Sequence, residues 1–224
     1  MIPGLNGMVG FSGVAGTLPT SFTKGGQAES TTISLTAPAS IIAGDLLLYQ
    51  NWAFGFGSPT TRIPTGFTSI ANVYNAVNMR SIFSYKVAES SDASSTVSGM
   101  NGSNVYSLLI VVKPDNPIVN ASANGAVTRG PIDTDPNGKN VLASAGSAPL
   151  LVVCMYNAGT AASDITPRTF STTKDDEAWT TGNTYKDAYI AWKFYSASPS
   201  NTQIDMADHG DDNNFMGAWL EFTL

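Results

Sequence analysis

The sequence predicts an all-β protein: a β-sandwich, jelly-roll-like or Greek-key, built from two related halves and preceded by an extended N-terminal arm. Three observations carry this expectation. Apolar residues alternate with period two or form short runs bounded by Gly, Pro, Asn and Asp, and no helix-length stretch repeats them at i, i+3, i+4 and i+7. The second half echoes the first. Asp45-Leu46-Leu47-Leu48-Tyr49 is matched by Pro149-Leu150-Leu151-Val152-Val153, and Pro64-Thr65-Gly66-Phe67-Thr68 by Pro167-Arg168-Thr169-Phe170-Ser171. Ser81–Ala88 is matched by Ala188–Tyr195, and the closing run Val105–Val112 by Met216–Phe222. Third, Gly4, Gly7, Gly10, Gly13 and Gly16 recur at every third position of the opening segment.

That opening segment has collagen spacing but only a few triplets, and no Pro in the intervening positions, so a triple helix is not expected. Leu5, Met8, Val9, Phe11 and Val14 would be poorly placed in water. The expectation is an arm over residues 1–30, with its lead-in, that becomes ordered against its own domain or a neighbouring subunit, and the five glycines are its candidate docking residues. Residues 31–224 then form the sandwich, as pseudo-repeats over about 31–115 and 141–224 joined by a turn-rich linker.

The elements follow in order. Thr31–Leu35 alternates, and Pro38–Asp45 is a turn leading into Leu46–Tyr49. Gly55–Thr60 reads as loop from its Gly and Pro. Phe67–Ala71, Met79–Ala88, a short Ser95–Ser98 and a long Val105–Val112 read as strands, the last ended by Pro114 and Pro117, which cannot donate to a ladder. Residues 113–148 read as the join, rich in turn chemistry, with a short strand near Val141–Ala143. One short helical turn is the most helix expected. Two apolar-faced sheets bury their faces best against each other, which favours one sandwich over two separate domains.

Composition narrows the function. Hydrophobic residues are 42%, enough for a core, while charged residues are only 12%, so the surface is mostly neutral-polar. A net charge of −6 with no basic cluster argues against nucleic-acid binding and against docking on an anionic membrane. No apolar run is long enough to span a bilayer, and no membrane insertion is expected. The N-terminus lacks the charged-then-apolar pattern of a secretory signal, which points to synthesis in the cytoplasm. Cys154 is the single cysteine, so no intramolecular disulfide forms, and its strand-like setting reads as a small buried hydrophobe.

Catalytic patterns are sparse. Asp133-Thr134-Asp135-Pro136-Asn137-Gly138 imitates the start of a calcium loop, but Ser144 stands where the ligating Glu belongs, and Asp and Asn are ordinary turn residues. His209 lies in Asp208-His209-Gly210-Asp211-Asp212, with too few His and Cys for zinc. No metal or other cofactor is expected; should a divalent ion bind, Asp133, Asp135, Asp208 and Asp211 are the candidates. A glycosidase needs paired carboxylates, and of the few Glu only Glu221 falls in a strand. There is no Gly-x-Ser-x-Gly elbow, P-loop or dinucleotide fingerprint. No catalytic residue is assigned, and a polysaccharide-degrading enzyme is the least favoured class. Among the aromatics, Trp52, Phe54, Trp192 and Trp219 read as core, while Trp179 and Tyr185 fall in a polar stretch read as loop and are candidates for surface binding.

Ala43-Gly44-Asp45-Leu46-Leu47-Leu48, Pro64-Thr65-Gly66-Phe67-Thr68 and Tyr85-Lys86-Val87-Ala88-Glu89-Ser90 together resemble a pattern common in tailed-bacteriophage virion proteins, over about residues 38–112. Met1-Ile2-Pro3-Gly4 and its glycine-rich continuation look like the docking arm of such a protein. The resemblance implies a non-enzymatic structural component of the virion (tail fibre, spike or capsid decoration). It would be homo-oligomeric, with other tail or capsid proteins as partners and loops turned toward a host-surface glycan. The alternative is a carbohydrate-binding adhesin or receptor-binding module. Such a likeness implies a role class and no chemical site.

Overall fold

A computed structural model of the chain describes residues 16–54, 62–74, 79–100, 105–129, 139–141, 150–158, 176–180, 187–196, 202–204 and 213–224. The described residues are all-β apart from one 3₁₀ turn at Ser90–Asp92. In chain order the strands are β1 Phe22–Ser30, β2 Ser34–Thr36, β3 Leu46–Phe54, β4 Thr68–Tyr74, β5 Met79–Val87, β6 Thr96–Ser98 and β7 Val105–Pro114. The second half continues with β8 Asn120–Arg129, β9 Lys139–Val141, β10 Leu150–Ala158, β11 Asp176–Thr180, β12 Asp187–Tyr195, β13 Thr202–Ile204 and β14 Asn213–Thr223.

The strands build two five-stranded sheets, ordered β1-β7-β3-β5-β4 and β8-β14-β10-β12-β11, and two small pairs, β2-β6 and β9-β13. Adding seven to each strand number of the first sheet and first pair generates the second sheet and second pair. The duplication read in the sequence is therefore carried by every described strand. The rungs refine its alignment. Leu46 lies between Val87 and Val112, and Leu151, not Leu150, lies between Phe194 and Leu220. On that footing Tyr85 corresponds to Trp192 and Lys86 to Lys193.

The sheets pack face to face around one core. Leu46, Leu48 and Trp52 of β3, Phe83 and Tyr85 of β5, and Leu108, Ile110 and Val112 of β7 meet Leu151 and Val153 of β10, Ile190 and Trp192 of β12, and Ala218, Leu220 and Phe222 of β14. The outer face of the first sheet is also covered. Leu47, Tyr49, Leu109 and Val111 pack with Leu35 of β2 and Val97 of β6. This is why β3 and β7 read as continuous apolar runs: they are buried on both faces.

Two strands depart from the sequence expectation. β1 begins at Phe22, inside the stretch read as arm, and β8 occupies part of the stretch read as linker. What joins the halves between β7 and β8 is only residues 115–119. Both are edge strands at corresponding places, and each pairing breaks register, between Lys24 and Gly26 on β1 and opposite Gly217–Trp219 on β8. Such breaks discourage edge-to-edge pairing with other chains. Trp179 lies in β11, beside Tyr189, rather than in a loop.

Candidate functional surfaces at the two ends of the sandwich

Both sheets share one end, marked by the start of β1. The Phe22 ring lies 5.2 Å from Phe194 and 5.3 Å from Phe222, bringing the start of β1 against the ends of β12 and β14. Tyr85 Oη donates to the Ala121 carbonyl at 2.9 Å, joining β5 to the start of β8. The start of β1, the ends of β5, β12 and β14 and the start of β8 therefore lie together at one end. We call this the root end, because the N-terminal segment enters the body here.

The entry is fastened by hydrogen bonds. Asp115 Oδ1 accepts from the backbone amides of Thr20 (2.8 Å) and Ser21 (3.2 Å), and Oδ2 accepts from Thr20 Oγ1. Asp115 N donates to Ser21 O at 3.1 Å, and Asn116 Nδ2 to Leu18 O at 3.4 Å. Slight burial would raise the Asp115 pKa, but the bonds from Thr20, Ser21 and Asn116 outweigh it and hold the carboxyl at about 2. Gly16 is exposed, and a Cβ there would sit 3.3 Å from Leu224 Cδ2 and 3.8 Å from Val119 Cγ2; both of those side chains are largely exposed. Gly4, Gly7, Gly10 and Gly13 lie outside the described residues.

Nearby turns are tightly made. Asp45, 2% exposed, accepts from Ile42 N at 2.9 Å and from Lys113 Nζ at 2.8 Å. Gly44 has φ +87°, and its place against Pro117 leaves no room for a side chain. An open groove of about 480 Å³ runs between the Thr65-Gly66 turn, Tyr85–Val87 and Val119–Ala121. Its one lysine, Lys86, is engaged with Asp92 at 2.7 Å.

The opposite end is where β3 meets β7 at Ala53–Val105, and where Ala158 of β10 meets Asp187 and Asn213. Trp179 lies near it, one rung from the Thr180–Ala188 pair. Asp133, Asp135, Tyr185, Asp208, His209 and Asp211 lie outside the described residues. The segments holding them leave from or return to described strand ends here: Arg129 opposite Phe215, Thr180 and Asp187, and Asn213. Among the described residues no group of three or more His, Cys, Asp or Glu comes together to hold a metal.

Beneath this end, on the outer face of the first sheet, lies a polar network that sequence reasoning missed. Asn51 Nδ2 donates to Tyr106 O at 2.7 Å and to Ser107 Oγ at 2.9 Å, and Asn51 Oδ1 accepts from Met100 N at 2.6 Å. Tyr49 Oη and Ser107 Oγ are 3.1 Å apart. Burial pushes the Tyr49 phenol up to about 12, the Ser107 bond opposing it. All three polar side chains are essentially inaccessible. The network therefore holds backbone. Its only signal in the sequence is Asn51 and Ser107 interrupting otherwise apolar runs.

No helix among the described residues is long and apolar enough to cross a membrane. No protein-family model, no curated protein and no solved structure matches the chain.

Proposed function

We propose that the chain is a non-enzymatic structural component of a tailed-phage virion, of the tail-fibre, spike or decoration type. It docks through its N-terminal arm and presents loops from the far end of a duplicated β-sandwich. The observation that carries the reading is polarity. The arm enters at one end through the Asp115 fastening, while the strand ends bordering the candidate recognition residues gather at the other. The resemblance of residues 38–112 to virion proteins supplies the setting, and low charge suits a protein that works in an assembly. Its partners are other tail or capsid proteins and further copies of itself, and its place of action is the particle, after synthesis in the host cytoplasm. Deleting residues 1–15 is expected to leave a folded domain that melts like the parent but does not enter particles. Normal incorporation of the truncated chain would refute the docking role.

A second reading, a carbohydrate-binding adhesin, is favoured by Trp179 lying on an edge strand near the far end. Glycan-array binding that is lost in Trp179→Ala supports it. Binding to no glycan by the parent leaves the scaffold role alone.

A further inference from the structure

We propose that this fold carries tension along the β1–β7 ladder, from the N-terminal segment to the loop-bearing end. The source of the load rests on the virion reading; the mechanics rest on the ladder alone. β1 enters at the root end and runs toward the far end, paired antiparallel with β7 from Phe22↔Pro114 to Ser30↔Ser107. A pull on residue 16 away from the root, resisted at the far end, slides β1 lengthwise past β7. In that geometry the rungs share the load and fail together. A pull across the ladder would open them one after another. β7 is a firm counterpart, flanked by β1 and β3 and buried along its first eight residues. Sliding must also draw Phe22 out from between Phe194 and Phe222. The Asp115 fastening lies one residue beyond β7 and holds Thr20 and Ser21, so it extends the ladder at the point where the load arrives.

Single-molecule pulling on the full chain tests this, in a Cys154→Ala background that melts like the parent. Handles at Gly16→Cys and Ser103→Cys, the latter just ahead of β7, load the β1–β7 pair in shear. Handles at Gly16→Cys and Val119→Cys, both at the root end, peel it. The expected result is a rupture force several-fold higher in the first geometry. Adding Asp115→Ala to that pair removes the carboxylate's bonds to Thr20 and Ser21 and is expected to lower the rupture force measured in the shear geometry. Equal forces in the two geometries would overturn the proposal, as would an Asp115→Ala trace identical to the parent. Neither outcome depends on a docking partner, so failure here is distinct from failure of the virion role.

Discussion

Asn51 offers the sharpest test of how the first sheet is held. Replacing it with Ala removes the partner of the Met100 amide and one partner of the Tyr106 carbonyl, both in a buried setting. An orphaned buried group such as the Met100 amide costs about 1–3 kcal/mol, a sizeable share of the about 5–15 kcal/mol that holds a typical domain. Urea denaturation at neutral pH reads the loss, and hydrogen exchange at Met100 reads its location. Asn51→Asp separates hydrogen bonding from shape. A carboxylate there cannot donate to Tyr106 O or Ser107 Oγ, while a protonated acid restores one donor. Burial raises the folded-state pKa of such an acid above its unfolded value of about 3.9. The folded state then binds the proton more tightly, so stability is greatest below about pH 3.9 and is lost as pH rises through the folded-state value. Relative to the parent, Asn51→Asp should therefore recover on acidification. A loss below about 1 kcal/mol in Asn51→Ala with Met100 still protected would refute the reasoning, and so would a flat pH difference in Asn51→Asp.

Other perturbations probe the root end and the contact between sheets. The Asp115 carboxyl sits near 2 in the fold against an ordinary value of 3.8. Its contribution is therefore present above about pH 4 and is lost as pH falls toward 2; amide exchange of Thr20 and Ser21 should accelerate across that window, and Asp115→Asn should abolish the step. Gly44→Ala must place a Cβ 2.8 Å from the Pro117 Cα at a φ of +87°. The left-handed conformation alone costs about 1–2 kcal/mol, so a thermal melt should show a larger loss than that. Tyr85→Phe leaves the Ala121 carbonyl without its phenol donor and should cost about 1 kcal/mol in urea denaturation.

The strands legible in the sequence are those whose burial leaves a mark. β3 and β7 are covered on both faces, so Leu46–Tyr49 and Val105–Val112 stand out as apolar runs. β1 and β8 were not legible because an edge strand needs little from its side chains. In β1 only Phe22 is buried, and the strand continues through Lys24, two glycines and Gln27. Among its described side chains β8 meets the core through Ala121 and Ala123, too small to make a pattern. The rungs that hold such strands are backbone bonds, which any non-proline residue makes. Asp115 escaped notice for a related reason. In Pro114-Asp115-Asn116-Pro117 it reads as a turn residue, and its partners Thr20 and Ser21 are more than ninety positions away. Trp179 read as loop because Asp176, Glu177 and Thr180 surround it, yet a short outer strand tolerates that composition.

The strand order of the two halves is the same, but their chemistry is not. Stepping from Leu46 and Leu151 along equivalent rungs, Tyr49 corresponds to Cys154, Asn51 to Tyr156 and Ser107 to Phe215. Phe215 has no hydrogen-bonding group and Cys154 only a weak one, so the pair that matches Tyr49 and Ser107 cannot repeat the hydrogen bond between them. The segment entering β7 is held from beneath by the buried Asn51 amide, which accepts from Met100 N. A duplicated backbone frame leaves each copy free to change at rungs the ladder does not need, because the ladder is indifferent to side chains. In the proposed display role such freedom would let the two halves differ in the residues they present.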